Sequence, residues 1–298
     1  MFENKWAKND NSAQMELPEG TFNIYEGIDK DFNTGELDSN VNRGSAANGC
    51  VRQRWYKKNG YEAKGMAPRA YINFGLGDAS EHIIKYYISR YCVGPGKLYK
   101  QVYFGKECGE FTIQHRSIKK HEQLESSWKY LDDNQEEQEV VCHFDGLGQL
   151  QDGTIELIEI KSASSFGFTT FKKEGPEDYL NQAHSYMMTD LCVEKKVKRV
   201  RFFYIRKETG HIFDRQFPYN VALALEVKRG YYDATRKEPP RQLSLVDVKY
   251  RGKPTGKKKL SWKCEYCPYI EVCRPEYEVS YTKDRFGNQK PVYTKIGE

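Results

Sequence analysis

The chain has 298 residues and a formal net charge of +5, with 38% hydrophobic and 30% charged residues. This composition is typical of a globular protein, and its longest apolar runs, such as Phe202–Ile205, are far too short to span a bilayer, so no membrane insertion is expected. Because Met1–Asp10 lacks an apolar segment, we expect neither a secretory signal nor a transit peptide, and a cytoplasmic location.

The first half of the chain predicts helices followed by hairpin strands. Residues 1–43, rich in Asn, Asp, Gly and Glu, predict an irregular acidic arm, and Ser45 is a plausible N-cap. The apolar spacing then predicts helices over 45–57 and 71–91, strands over 98–104 and 110–114, and a helix-and-loop insertion over 115–139.

The second half predicts a hairpin and then alternating helices and strands. Strands are expected over 139–145 and 154–162, with a turn at Asp152-Gly153. A helix over 177–192, strands over 197–206 and 211–218, and a helix over 220–232 follow. This order predicts an α/β fold with a mixed central sheet flanked by helices, formed by one domain over residues 44–298.

The strand over 154–162 carries an acid and a lysine in a defined relation. Glu159 and Lys161 are two residues apart and share one face, whereas Ile158 and Ile160 point to the opposite, buried face. Asp145 ends the expected partner strand, so a hairpin brings Asp145, Glu159 and Lys161 together. Taken alone, Glu-x-Lys is a weak pattern that solvent-facing hairpins also contain.

Two acids and an amine suit metal-assisted hydrolysis. Carboxylate oxygens are preferred ligands of Mg²⁺ and Mn²⁺, whose other positions are left to water and substrate phosphate. A bound metal ion lowers the pKa of a water ligand, and a lysine can position or deprotonate that water. The three residues are therefore compatible with phosphodiester hydrolysis, although a solvent-facing hairpin explains them equally simply.

The segment CHFDGLGQLQDGTIELIEIKSAS resembles the core of the PD-(D/E)xK nucleases, with Phe144 in place of the eponymous proline. The resemblance implies a restriction-endonuclease-like core with Asp145, Glu159 and Lys161 as catalytic residues. The segment NQAHSYM is similar to the Q-x-x-x-Y motif of the RecB-like branch, which implies DNA contacts for Gln182 and Tyr186. The segment FGLGDASEHIIKYY resembles the histidine helix of that branch and implies His82 as a further metal ligand, with Glu81 as the alternative.

The eight cysteines raise the question of metal ligation, because a cytoplasmic protein rarely forms disulfides. Cys264, Cys267 and Cys273 are clustered near the C-terminus, within a segment at about 240–280. This segment resembles the C-terminal cysteine segment of CRISPR-associated and AddB-type nucleases. The segment GCVRQRWY, which contains Cys50, resembles their N-terminal cysteine helix. The resemblance implies that Cys50, Cys264, Cys267 and Cys273 hold a [4Fe–4S] cluster that joins the termini.

A four-thiolate zinc site is the alternative to this cluster, because C-x₂-C is also a zinc spacing. The remaining cysteines fall in helix or strand patterns and are expected in the core: Cys92, Cys108, Cys142 and Cys192.

The expected function is a Mg²⁺- or Mn²⁺-dependent DNA nuclease. The resemblance implies an exonuclease that acts on single-stranded DNA or DNA ends in recombination, replication or DNA degradation, with any helicase or recombination partner a separate protein. Its size resembles that of phage-encoded nucleases, which implies the cytoplasm of a bacterium or of a phage-infected host. The alternatives are an inactive nuclease fold that binds DNA and a restriction-type endonuclease.

Overall fold

The computed structural model describes residues 42–63, 68–113, 115–175, 177–236, 238–239, 245–250, 253–265, 267–283 and 289–295. The predicted acidic arm lies outside the described residues except for its last two positions. The chain divides into two compact units: a larger unit of Val41–Asn48 and Gly75–Lys237, and a smaller unit of the remaining residues. The predicted arrangement of one arm and one domain stays a prediction.

The larger unit contains a mixed five-stranded sheet, as the sequence predicts. Its strands are β2 (Tyr99–Tyr103), β7 (Gly146–Leu150), β8 (Ile155–Ala163), β9 (Arg199–Arg206) and β10 (Ile212–Pro218). The order is β10-β9-β8-β7-β2, with β8 and β9 parallel and the other pairs antiparallel. The central strand β8 is buried on both faces, so that two of its acids, Glu156 and Glu159, lie in the interior.

A second sheet of three strands replaces much of the predicted helix-and-loop insertion, and that prediction is wrong. β1 (Asn42–Arg43) runs parallel to β6 (Glu137–Phe144), which pairs antiparallel with β5 (Leu124–Leu131). Between β1 and β5 in the sequence, β3 (Glu107–Ile113) and β4 (Arg116–His121) form a separate hairpin. In β5 the buried Trp128 and Tyr130 are two residues apart, which is the spacing of one face of a strand. The charged residues around them hide this alternating pattern in the sequence.

Helices cover both faces of the five-stranded sheet. The helices of this unit are the second part of α2 (Pro68–Tyr87), α3 (Ser165–Glu174), α4 (Glu177–Met187), α5 (Asp190–Glu194) and α6 (Val221–Asp233). On one face Leu157 and Phe202 belong to a large core with residues of α4 and α6; on the other, Ile158 and Ile160 pack with Ile84 of α2.

Three predicted helices are interrupted. The one expected from Ser45 is a 3₁₀ helix, Gly44–Asn48, followed by α1 (Val51–Lys58), because Cys50 adopts an extended backbone as the N-cap of α1. The second continues past α2 as a π-helical turn, Ile88–Cys92. The third breaks between α4 and α5, where Thr189 is also extended.

The smaller unit combines α1 and the first part of α2 with short elements from the end of the chain. These are β11 (Leu245–Tyr250), β12 (Lys253–Leu260), α7 (Trp262–Glu265), α8 (Ile270–Cys273), β13 (Tyr277–Lys283) and β14 (Gln289–Lys295). Tyr56 of α1 stacks on Tyr269 at 5.6 Å between ring centroids. Arg52 donates to the Pro239 carbonyl at 2.6 Å. Among the described helices of the chain, none is long and apolar enough to cross a membrane.

Candidate active site

Asp145 lies between β6 and β7, at the point where the chain passes from the three-stranded to the five-stranded sheet. The predicted hairpin partner of β8 was therefore wrong: β7, not β6, pairs with β8. Gly146 lies opposite Ile158, so one further step of this register places Asp145 opposite Glu159. Glycine is required at 146, because an added Cβ would lie 2.5 Å from the Phe104 ring.

The Asp145 carboxylate is held by two hydrogen bonds. Oδ2 accepts from the Ile160 backbone N–H at 2.6 Å, and Oδ1 accepts from Gln123 Nε2 at 2.9 Å. Only 2% of Asp145 is exposed. These contacts fix the carboxylate beside β8, as the sequence predicts. Nothing in the sequence identifies Gln123, which lies between β4 and β5, two strands that the sequence did not predict.

Glu159 and Lys161 project from β8 on the same face, as their spacing predicts. Lys161 Nζ donates to Glu159 Oε1, and it also lies 5.1 Å from the centroid of the Tyr179 ring. Glu159 is 2% exposed, and its second oxygen, Oε2, is buried without a hydrogen-bond partner among the described residues. A buried, unsatisfied carboxylate oxygen is costly unless a cation or a donor reaches it.

Burial and neighbouring acids raise the pKa of two carboxylates, Glu159 on β8 and Glu81 on α2. Burial raises the pKa of Glu159 to about 8, with Lys161 opposing the shift and Asp145 adding to it. Burial also raises the pKa of Glu81 to about 7, with a further contribution from Asp145. Burial lowers the pKa of Lys161, but Glu159 and Asp145 outweigh this effect and raise it. Without a metal ion, Glu159 and Glu81 therefore titrate near neutral pH.

On α2 the structure places Glu81, and not His82, in the cavity wall with Asp145 and Glu159. Glu81 lines the same cavity as Asp145 and Glu159 and pairs with the fully buried Lys85, Oε1 to Nζ, at 2.6 Å. His82 does not line the cavity; burial lowers its pKa, and the charges that act on it include Lys85 and Asp78. The geometry thus favours the alternative ligand from the sequence, while the ligand role of His82 stays a prediction.

Gln182 and Tyr186 lie one turn apart on α4 and both line the cavity, as the sequence predicts. They are 8% and 2% exposed, so a substrate can reach them only through the cavity. Gln182 Nε2 donates to the Tyr186 hydroxyl. Burial raises the pKa of Tyr186 well above its usual value, and the nearby Glu159 carboxylate adds to this.

These residues surround one cavity of about 360 Å³ in the larger unit. It is lined by Asp145, Glu159, Lys161, Gln182, Tyr186 and Glu81, and also by residues that the sequence did not indicate: Arg43, Gly44, Ser45, Gln123, Val141, His143 and Ile160. β1 and β6 bring Arg43 and His143 to the cavity wall, so only the pairing of distant strands reveals them.

The donor set fits a hard divalent cation. Mg²⁺ is usually held by one or two carboxylates, with water and substrate phosphate filling the remaining positions. Asp145 and Glu159 supply two carboxylates, and Glu159 Oε2 has no other partner among the described residues. No group of three or more described His, Cys, Asp or Glu side chains is arranged to hold a metal ion.

Four cysteines interact electrostatically in the smaller unit. Burial raises the pKa of the Cys267 thiol to about 11, and Cys264, Cys50 and Cys273 add to the shift. Among the described residues, however, no group of three or more Cys, His, Asp or Glu side chains is arranged to hold a metal ion, so the cluster stays a prediction. The other cysteines differ in burial: Cys142 and Cys192 are buried and Cys92 is half-buried, as core residues, but Cys108 is exposed on β3, so its core assignment was wrong.

No family model and no curated protein matches the chain. Among solved structures, the chain is similar to SSO0001, with 12% identity and a TM-score of 0.50, over 84% of this chain and 94% of that chain. It is also similar to LHK-Exo in complex with dAMP, with 15% identity and a TM-score of 0.37, over 66% of this chain and 86% of that one. The alkaline exonuclease LHK-Exo from Laribacter hongkongensis matches with 14% identity, a TM-score of 0.34 and the same coverage.

Proposed function

We propose that the chain is a Mg²⁺- or Mn²⁺-dependent deoxyribonuclease of the PD-(D/E)xK type. The observation that carries the proposal is the convergence of Asp145, Glu159 and Lys161 on one cavity, the first from the junction of β6 and β7 and the other two from β8. The partly buried Lys161 lies beside the buried Glu159, whose pKa burial raises, and strongly perturbed groups of this kind are typical of functional sites.

Each group has a defined task in this proposal. Asp145 and Glu159 would hold the metal ion, which supplies charge neutralisation at the scissile phosphate and a more acidic water. Glu81 adds a third carboxylate to the same wall. Lys161 holds its ammonium beside Glu159 Oε1, where it can orient the attacking water and stabilise charge on the phosphoryl oxygens.

The size of the cavity supports a single-stranded substrate or a strand end. About 360 Å³ is at the small end of the range of ligand sites, roughly 300–1,000 Å³, which suits one nucleotide better than a base-paired duplex. Tyr186 and Gln182 form part of the wall against which that nucleotide would lie. We therefore propose exonuclease action on single-stranded DNA or DNA ends, while a helicase or recombination partner and the cellular location stay predictions.

The cysteines of the smaller unit form the second part of the proposal. We propose that Cys50, Cys264, Cys267 and Cys273 hold a [4Fe–4S] cluster, with zinc as the competing occupant. Burial disfavours a thiolate at Cys267, so a cation that lowers its pKa would stabilise this group of thiols. Because Cys50 precedes α1 and the other three lie near the C-terminus, the cluster would have a structural role in joining distant segments.

The nuclease proposal is tested by digestion of end-labelled single-stranded and duplex DNA in Mn²⁺ under anaerobic conditions. Wild type is compared with Lys161→Ala, with a chelated sample and with Lys129→Ala, which removes an exposed lysine from a surface ion pair with Glu137. We expect cleavage only by wild type and Lys129→Ala. Their products from single-stranded DNA should form a ladder of fragments that differ in length by one nucleotide. A wild type that binds DNA and cuts nothing would show instead that the fold only binds nucleic acid.

A further inference from the structure

A chain of hydrogen bonds joins the 3₁₀ helix to α4 and ends at the cavity. The Asn48 side chain contacts Gln182 twice: Oδ1 accepts from the Gln182 backbone N–H at 3.2 Å, and Nδ2 donates to Gln182 Oε1 at 3.3 Å. Gln182 Nε2 in turn donates to the Tyr186 hydroxyl. All three residues belong to the larger unit.

The donor and acceptor roles along these hydrogen bonds are set by the Gln182 backbone N–H, which donates to Asn48. A backbone N–H can only donate, so Asn48 must turn Oδ1 toward it and Nδ2 toward the Gln182 side chain. Gln182 must then turn Oε1 toward Asn48 and Nε2 toward Tyr186. The orientation of both amides is thus set by one backbone group, which removes the usual ambiguity between amide oxygen and nitrogen.

The orientation of Gln182 determines which hydrogen bonds the Tyr186 hydroxyl can make. Because Tyr186 accepts from Gln182, its own proton can donate to a group in the cavity that Asp145 and Glu159 also line. We propose that Asn48 is a positioning residue that orients Gln182 so that Tyr186 presents a hydrogen-bond donor to a phosphoryl oxygen of the substrate. This inference rests on the proposed nuclease function and specifies how the Gln182–Tyr186 pair acts in it.

Asn48→Asp reverses the donor and acceptor roles between residue 48, Gln182 and Tyr186, while the side chain at position 48 keeps its shape. An ionised carboxylate at this position cannot donate, so the Gln182 amide would turn its Nε2 to the new carboxylate and its Oε1 to Tyr186. Tyr186 must then donate to Gln182 and can no longer donate to the substrate. The substituted protein should behave as Tyr186→Phe does, even though residue 48 makes no contact with the hydroxyl in the described hydrogen bonds.

The test is the rate constant for cleavage of a single-stranded oligonucleotide at saturating Mn²⁺, measured in a double-mutant cycle. We expect Tyr186→Phe to lose about 10- to 100-fold, the range for a hydrogen bond to a charged group. Asn48→Asp should match this loss within about threefold, and the double variant should lose nothing further. Asn42→Asp is the matched control, because the Asn42 side chain donates to the Glu139 carbonyl at an exposed position, and it should change the rate less than about twofold.

Three results would overturn the inference. These are an unchanged rate in Asn48→Asp, an equal loss on the Tyr186→Phe background, which would indicate a charge effect, and an equal loss in Asn42→Asp. If Asn48→Asp does not fold, Asn48→Ala replaces it, and its smaller loss should likewise vanish on the Tyr186→Phe background. If wild type binds the oligonucleotide without cutting it, the proposed function fails, and the same cycle on oligonucleotide affinity decides the role of Asn48 separately.

Discussion

The raised pKa values of Glu159 and Glu81 predict that metal binding competes with protons. Below its pKa a carboxylate must lose a proton before it binds a cation, so apparent affinity falls as the pH falls. With pKa values of about 8 for Glu159 and about 7 for Glu81, both acids are mostly ionised at pH 8.5 and mostly protonated at pH 6. Metal affinity should therefore increase with pH across this window.

The magnitude follows from the two ionisations. The factor (1 + 10^(pKa − pH)) is about 100 for Glu159 and about 10 for Glu81 at pH 6, and close to one for each at pH 8.5. The apparent affinity should be about 800-fold lower at pH 6, or about 4 kcal/mol. About two protons should be released per metal ion at pH 6, and fewer than about half a proton at pH 8.5.

Isothermal titration with Mn²⁺ in two buffers of different ionisation enthalpy measures both quantities. Glu81→Gln should reduce the release at pH 6 to about one proton. Glu136→Gln, which changes an exposed glutamate, is the control and should leave it unchanged. An affinity that stays constant from pH 6 to 8.5, with no proton release, would refute the argument, because the buried acids would then already be ionised.

Three further predictions concern stability and composition. Gly148→Ala should lower the free energy of unfolding by about 1–3 kcal/mol in thermal melts, because the added Cβ would lie 2.3 Å from the Tyr99 ring; Gly75→Ala, in an open helical position, should not destabilise. Arg201→Met should cost about 1.5–3 kcal/mol in denaturant titrations, because buried Glu156 loses its 2.6 Å partner but keeps the Tyr99 hydroxyl at 2.7 Å and Arg199 at 3.4 Å; Lys129→Met, in an exposed pair, should cost less than about 1 kcal/mol. Cys264→Ala should lose the iron and the brown colour of anaerobically purified protein, whereas exposed Cys108→Ala should retain both. Stoichiometric zinc in colourless wild type would contradict the cluster assignment.

The elements around β8 were predictable because their residues carry short-range patterns. The alternation of Ile158 and Ile160 with Glu159 and Lys161 fixed the two faces of the strand, and both faces are as predicted. The helical spacing of Gln182 and Tyr186 likewise placed them on one face of α4. Local periodicity was sufficient wherever one element carried the whole pattern.

Features that depend on pairing between distant segments were not predictable. The partner of β8 was misassigned because β6 and β7 adjoin in sequence, and only the contact of β5 with β6 shows that β6 belongs elsewhere. The direction of the Asn48 side chain and the arrival of Arg43 at the cavity depend on the 3₁₀ helix and β1, which no period in the sequence specifies. The choice between Glu81 and His82 depends on the rotation of α2 about its axis, which its weakly amphipathic sequence leaves open.

In the proposed function Glu159 acts in hydrolysis and is more than a buried acid. The most direct test is the cleavage rate of Glu159→Gln on end-labelled single-stranded DNA at pH 8.5 in saturating Mn²⁺, beside Glu136→Gln. We expect a loss of at least about a thousandfold in Glu159→Gln, on the scale of removing charge stabilisation from a transition state, and an unchanged rate in Glu136→Gln. Cleavage by Glu159→Gln within about tenfold of wild type would contradict the account and place the active site elsewhere.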